Sequence, residues 1–426
     1  MNTCGFLAAA RKEALQAIAQ AVEYKRTGRC RRVVVVGCLV QRDGRHLGER
    51  FPDVDVLLGV NQREQLVQAV LSHEPPALQI SPPLPATMPA DTTRLRLTPR
   101  PYAYLRISEG CDQRCTFCTI PRIRGPMRSK PPDVVLEEAR ELIADGALEL
   151  NLIAQDTTAY GRDLDYKPGL AGLLRKLNRL DGVVWIRLMY ASPRFFDDAV
   201  IAAIAECERV VKYVDLPLQH VNDRVLRAMG RRTKRRDIET LLNRLRDRIP
   251  EIAVRTTLMV GFPGETDAAF RELVDFVRRF RFDALGVFAY SREPETPSAR
   301  RPGQLPWNVK RRRYDALMRT QRTIAFAKAD AMRHRHLNLL VERPGPDGRL
   351  VTRHAGQAPE VDSVVFVVDP PTRPGPFLRG VCVAREGYDL IARPVQGILP
   401  PDGQGARPVR FIRGCDRPCG STCPTK

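Results

Sequence analysis

The chain has 426 residues, 43% hydrophobic and 6% aromatic, with a formal net charge of +20. That apolar content supports a packed core and excludes wholesale disorder, and the length fits two to four domains at ~100–200 residues each. The longest apolar stretch, around Val33–Val40, is far short of the ~20 residues that span a bilayer, and no charged-then-apolar leader opens the chain. Neither membrane insertion nor secretion is therefore expected. The charge favours an anionic partner such as nucleic acid or a ribonucleoprotein, although an arginine-rich composition accounts for it equally. The eleven cysteines, an odd number with three inside eight residues, are unlike a disulfide framework and fit metal binding in a reducing cytoplasm.

Residues 1–74 read as an α/β piece. An amphipathic helix is expected from about Leu7 to Tyr24, and a buried strand at Val33–Val36 ends at Gly37-Cys38. The opening Met1-Asn2-Thr3-Cys4-Gly5 lacks the run-in of a first strand. Residues 75–98 read as a linker, in which Pro75, Pro76, Pro82, Pro83, Pro85 and Pro89 forbid regular structure.

From Tyr102 onward, β-rich runs alternate with helical patterns. The runs are Tyr102–Ile107, Leu148–Ile153, Val184–Met189, Lys212–Leu216, Ala253–Val260 and Leu285–Tyr290. The helices between them are Pro132–Ile143, Leu170–Leu180, Phe195–Ala205, Lys234–Arg248 and Ala268–Phe280. Six βα units over residues 99–335 predict parallel strands wound as a partial barrel. They end in a basic helix from about Trp307 to Arg333. Residues 336–395 read as a small β-barrel built from Leu337–Val341, Ser363–Val368, Leu378–Ala384 and Leu390–Ala392. The Pro/Gly-rich tail, 396–426, is expected to be loose.

The chemistry is carried by Cys111-x3-Cys115-x2-Cys118, directly after the first barrel strand. Three thiolates on one short loop fit three irons of a cubane and leave the fourth iron open to a ligand. A structural zinc site would want four closed ligands, and no fourth Cys or His lies nearby in sequence. In such barrels the active site lies at the C-terminal ends of the strands. Unusual polar segments fall at those ends: Gln155-Asp156-Thr157-Thr158, Tyr190-Ala191-Ser192, Gln219-His220, Gly261–Glu265 and Ser291-Arg292-Glu293. Cys4 and Cys38 sit at strand-to-loop transitions in the first piece, where buried, inert thiols are the plainer reading.

The triplet, with Phe117 before its last cysteine, resembles the radical S-adenosylmethionine (SAM) superfamily. The resemblance implies a [4Fe–4S] cluster on Cys111, Cys115 and Cys118 whose open iron chelates SAM. Gln155, Asp156, Tyr190, Gln219, Gly261 and Gly264 would line the SAM side of the barrel. No proton-relaying side chain is singled out. The whole arrangement, up to about Pro394, resembles the methylthiotransferases: a cysteine-bearing α/β N-terminal domain, a partial (βα)6 radical SAM barrel and a C-terminal TRAM barrel. In that family three N-terminal cysteines hold an auxiliary [4Fe–4S] cluster that handles the inserted sulfur. Cys4 and Cys38 match the second and third of them. The first is expected upstream of Met1, in a Gly-Cys-Pro-Lys-Asn-like segment, as in a chain truncated at its start.

Segments such as Ala154–Gly161, Trp185–Tyr190, Tyr213–His220, Tyr290–Glu293, Ala358–Asp362 and Tyr388–Leu390 resemble the RimO branch, which modifies an aspartate of small-subunit ribosomal protein S12. The alternative branch modifies a tRNA adenosine. The resemblance implies two clusters, SAM, an electron donor and ribosomal protein S12 as partner. Charge separates the branches independently. Residues 337–394 hold seven Arg, no Lys and seven Asp/Glu, so their net charge is zero. A tRNA-binding barrel should be basic. The acids near Glu360 and Asp362 are expected to steer a basic protein target. The stretch 300–335, with eleven Lys/Arg and two acids, is expected to approach ribosomal RNA or to form a solvated helix face. Cys415-x3-Cys419-x3-Cys423 in the tail has no counterpart in the family and reads as a neutral extension.

Overall fold

The computed structural model describes residues 1–71, 77–79 and 88–395. The tail cysteines and much of the proline-rich stretch lie outside the described residues.

The N-terminal unit is a four-stranded parallel sheet in chain order: β1 (Asn2–Thr3), β2 (Val34–Gly37), β3 (Val56–Leu58) and β4 (Ala77–Gln79). α1 (Ala8–Arg26), α2 (Cys38–Arg50) and the short α3 (Leu66–Leu71) accompany it. Ile18 and Val22 of α1 bury against Val33, Val35, Leu39, Leu47 and Leu57. Two expectations need correction. A first strand does form, because the Met1 ammonium donates to Val34 O at 2.6 Å and Val36 N donates to Met1 O at 2.8 Å. The proline-rich stretch also contributes a strand, since Ala77–Gln79 contains no proline and pairs in register with Val56–Leu58.

The central unit carries β5 (Tyr102–Arg106), a two-residue pair β6 (Ser108–Glu109) and β7 (Arg128–Ser129) around α4 (Ile120–Arg124), and then α5 (Pro132–Ala144). It continues through β8 (Glu149–Ile153), α6 (Gly169–Leu177), β9 (Trp185–Leu188), α7 (Asp198–Glu206), β10 (Val210–Gln219), α8 (Asp223–Ala228) and α9 (Arg235–Arg248). β11 (Ala253–Val260), α10 (Asp267–Phe280), β12 (Ala284–Ala289) and α11 (Trp307–Asp330) complete it. The six long strands stand side by side in chain order, all parallel, an open (βα)6 barrel. Strand periodicity divides their faces. Ala103, Leu105, Leu150, Leu152, Ile186, Leu188, Val214 and Leu216 join the helices in one core. The alternate residues Tyr102, Tyr104, Glu149, Arg187, Tyr213, Asp215 and Arg255 turn the other way and make the barrel interior polar. Capping fixes where helices start: Thr266 Oγ1 accepts from Ala269 N at 3.2 Å, and Asp267 and Arg278/Arg279 complement the two ends of the α10 dipole.

The C-terminal unit is a closed barrel of β13 (His336–Pro344), β14 (Leu350–Arg353), β15 (Val365–Val367), β16 (Phe377–Glu386) and β17 (Asp389–Pro394), in the order β13-β14-β15-β17-β16. It has one strand more than the sequence pattern gave, the four-residue β14.

This small barrel docks on the N-terminal ends of the central strands. Arg353 of β14 and Arg187 of β9 both clasp the fully buried Glu149, at 2.5 and 2.7 Å. Tyr102 and Tyr104 hydroxyls donate to Glu360 at 2.9 and 3.1 Å. Asp362 accepts from Tyr213 at 2.7 Å and from Arg255 at 3.2 Å. Asp362, expected to steer a partner, is instead paired with Arg255 and largely buried, while Glu360 is exposed and keeps its charge at the surface, braced by two tyrosine hydroxyls.

Candidate functional site

The cysteine loop is held from three sides. Its stem is the β6–β7 pair, closed by Cys111 N donating to Gly125 O at 3.1 Å. Gly110 has φ +83°, and any Cβ there would run into the Pro126 carbonyl, so only glycine makes this entry. At the far side, Thr116 N and Oγ1 donate to the Met229 and Ala228 carbonyls, both at 2.9 Å, and Ser298 N donates to Thr116 O at 2.9 Å. Phe117 inserts beside Phe262, edge to face at 6.4 Å, in a small apolar cluster with Val225, Met229 and Tyr290.

All three thiols are partly accessible. Backbone amides point at two of the sulfurs: Gln113 N at Cys111 and Ile120 N at Cys118, each at 3.4 Å. Burial pushes the Cys111 thiol up to about 12 and that of Cys118 up to about 11. Free thiolates are disfavoured at Cys111 and Cys118, so their ionisation would require a bound metal, whose charge would offset the desolvation. Among the described residues, no three His, Cys, Asp or Glu side chains are gathered around a point where one ion would sit. A cubane gives each thiolate its own iron and needs no such point.

The other predicted residues sit at the C-terminal strand ends around this loop. Asp156, buried and with its carboxyl pushed up by burial, accepts from Gln113 at 3.0 Å and from Thr158 at 2.7 Å. A crevice beside Cys111 is lined by Gln113, Asp156, Arg162, Arg194 and Phe195. The two guanidiniums stack on the Phe195 ring at 4.4 and 4.7 Å. Gln155 Oε1 is buried without a hydrogen-bond partner, a free acceptor for a ligand's amine or hydroxyl. Tyr190 (φ +55°) and Gln219 (φ +68°) end β9 and β10 in left-handed backbone, which strains a side-chain-bearing residue and re-aims it. Tyr190 N donates to Asp215 at 3.1 Å. After β11, Gly261 (φ +74°) lies where a Cβ would run into the Lys310 side chain, and its N–H donates to Glu265. Gly264 (φ +84°) faces open space on its Cβ side, a backbone surface free for close approach. His220 Nε2 and Glu265 Oε1, both fully buried, face each other at 3.6 Å across the β10 and β11 loops, beyond hydrogen-bond distance and each without a partner. A free acceptor, left-handed turns and bare glycine backbone fit a cofactor carrying amine, carboxylate and ribose groups.

Cys4 and Cys38 follow paired positions of two adjacent parallel strands, because Thr3 registers with Gly37. Gly5 presses so closely on the Cys38 backbone that a Cβ would lie 2.7 Å from Cys38 O. The plainer reading of these thiols as inert core is corrected: Cys4 is exposed and Cys38 partly so. Their edge meets the central barrel beside the three-cysteine loop. Helix α2 packs beside α4, and Arg124 Nη2 lies 3.1 Å from Cys38 Sγ. Ala8 N and Arg11 bind Glu293 at 3.0 and 3.2 Å, while Arg42 and Arg122 converge on Glu295 at 3.4 and 3.3 Å.

A charge chain at this junction was not read from the sequence. Glu138 and Asp91 hold the buried Lys130 at 2.6 and 2.8 Å, Asp91 pairs with Arg106 at 2.8 Å, and Glu109 joins Arg106 to Arg124. Burial works against the Asp91 carboxylate, but Arg106 and Lys130 hold it well below the usual range. Its members are scattered over 47 positions and obey no local spacing, so only the fold reveals them.

Residues 105–277 match the Radical SAM superfamily, residues 1–59 the uncharacterized protein family UPF0004 and residues 335–395 the TRAM domain. The chain is 45% identical over 397 residues to the ribosomal protein uS12 methylthiotransferase RimO of Anaeromyxobacter sp. (strain K), covering 93% of this chain and 84% of that protein. It belongs to the RimO family of radical SAM methylthiotransferases. Another RimO, from Anaeromyxobacter sp. (strain Fw109-5), is 42% identical over 428 residues, covering 100% of this chain and 89% of that protein. The RimO of Desulfitobacterium hafniense (strain Y51) is 40% identical, covering 93% and 90%. Membership implies [4Fe–4S] chemistry with SAM. No helix among the described residues is long and apolar enough to cross a membrane.

Proposed function

We propose that this RimO-family chain adds a methylthio group to the β-carbon of an aspartate of small-subunit ribosomal protein uS12, in the reducing cytoplasm. The observation that carries the reading is the docking of the Cys4/Cys38 edge onto the cluster loop, bridged by Arg124. Sulfur transfer to an unactivated carbon requires radical generation and sulfur handling within reach of one substrate atom, and this junction supports that requirement.

In this reading Cys111, Cys115 and Cys118 hold one [4Fe–4S] cluster, and Cys4 and Cys38 provide two ligands of a second. When bound, cluster and SAM supply reductive sulfonium cleavage and with it the hydrogen-abstracting radical, for which an external electron donor is required. The chain's own residues bind and orient. Gln155 offers its free acceptor, Gly264 its bare backbone and Gly261 the turn that sets it, and Asp156 with Gln113 braces the loop. Tyr190 and Gln219 narrow the mouth from their left-handed turns. Phe117, Phe262 and Tyr290 exclude water from one flank of the loop.

The test is anaerobic reconstitution with iron, sulfide, SAM and reductant, offering free uS12 and bulk tRNA in parallel. Mass spectrometry should find the methylthio group on a uS12 aspartate. Its appearance only in tRNA nucleosides would overturn the reading in favour of the adenosine-modifying branch.

A further inference from the structure

Helices α10 and α11 leave between them an open groove of ≈ 760 Å³ on the outer flank of the barrel, away from the cysteine loop. Arg271 and Arg278 stand seven residues apart on α10, so they share one face about 10 Å apart along the axis. Arg281 follows at the α10 C-cap in left-handed backbone (φ +49°), and Arg319 faces them from α11. All four are exposed. The single acid among the lining residues, Asp275, is already paired with Arg278 at 3.2 Å. Arg281 and Arg319 make no side-chain hydrogen bond or ion pair within the described residues. Thr320 and Thr323 add hydroxyls along the α11 wall.

Four guanidiniums around one groove repel one another unless an anion lies among them. The groove is too long for a lone ion and carries arginine without lysine, the side chain that grips phosphate oxygens in pairs. A protein partner fits less well. On the proposed reading the protein substrate is ribosomal, hence basic, and a positive groove would repel it. The RNA that surrounds such a protein in its particle has the complementary charge. We propose that the α10/α11 groove docks an RNA phosphate backbone and holds the enzyme on a ribonucleoprotein while the cysteine face works on the protein. This inference rests on the function proposed above for the identity of the particle, though not for the binding itself.

The test uses the full chain, a fluorescein-labelled RNA hairpin and a salt titration. At ~0.7–0.9 of a counterion released per contacted phosphate, the combined variant Arg271→Ala/Arg278→Ala/Arg281→Ala/Arg319→Ala should flatten the slope of log K against log salt by about three. Its affinity at about 0.1 M salt should fall at least tenfold, with an unchanged melting curve and unchanged methylthiolation of free uS12. If the combined variant melts early, Arg319→Glu alone, on the exposed face of α11, should still weaken hairpin binding. An unchanged slope, or displacement of the hairpin by polyglutamate at equal charge, would overturn the proposal, the latter in favour of an acidic protein. Failure of the wild-type chain to modify uS12 would count against the proposed function, while the hairpin slope would still decide the groove.

Discussion

Arg124 Nη2 stands 3.1 Å from the sulfur of Cys38, a residue 86 positions earlier in the chain. Its other terminal nitrogen is occupied by Glu109, so the guanidinium cannot swing away without breaking an ion pair. The contact ties the cysteine edge of the first unit to the helix that follows the three-cysteine loop. Arg124→Ala should leave SAM cleavage largely intact but lower methylthio product per deoxyadenosine formed, by about tenfold. Chromatographic quantitation of both products from one reaction checks this. An unchanged ratio would mean that the contact only supports packing.

Cys115→Ala removes one of three sulfurs from a loop whose fold depends mainly on backbone bonds to Met229, Gly125 and Ser298. The variant should keep its far-ultraviolet dichroism and lose roughly four irons per chain. Deoxyadenosine production should fall to background. Persistent cleavage in the variant would sink the cluster assignment.

Gly230 has φ +75°, and a Cβ there would strike the Arg114 carbonyl within the cysteine loop. Gly230→Ala is therefore expected to cost about 1–3 kcal/mol and to loosen the loop from its outer clamp. Thermal melts and iron retention after desalting should both fall. A variant with wild-type iron retention would show that the clamp is dispensable.

Glu149 is wholly buried between Arg187 and Arg353. Burial favours its neutral form, but the two guanidiniums hold its carboxyl below the usual range. Glu149→Leu would leave the buried Arg187 without a carboxylate partner and Arg353 with Glu342 alone. The loss should reach ~3–5 kcal/mol in urea unfolding, as for other broken buried pairs. A loss below about 1 kcal/mol would mean that water or a rotamer change rescues the arginines.

His354 gives the small barrel's junction a pH dependence. Burial, followed by the nearby Arg187 and Arg353 charges, depresses its pKa to about 4. The folded chain keeps this ring neutral while the unfolded chain takes up a proton near 6.5. Its contribution is whole above about pH 6.5, erodes as pH falls towards 4 and changes no further below that. Urea midpoints of the wild type and His354→Gln, compared at pH 7.5, 6 and 4.5, should diverge most steeply within that window. Parallel curves would exclude the ring as the titrating group.

Much of this was legible in the chain because it is local. The spacing of Cys111, Cys115 and Cys118 and the alternation of β and α patterns involve neighbours in sequence, so periodicity and turn chemistry suffice. Strand ends fell within a few residues because Gly110, Gly146 and Gly261 punctuate them. What escaped depends on distant partners. β4 lacked any pattern of its own and exists because β3 offers an edge. Asp362 looks like a surface acid until Tyr213 and Arg255 are brought to it. Arg124 is one arginine among many until the first unit sets Cys38 beside it.

The seating of the small C-terminal barrel on the strand N-termini closes that end of the central barrel. Arg353, Glu360 and Asp362 stopper its far end. On the function proposed above, nucleotide and target side chain would both enter at the opposite end, beneath the cysteine edge. A bulky target seated there first would stand in the nucleotide's way, so the proposed reaction is expected to take the nucleotide before the protein.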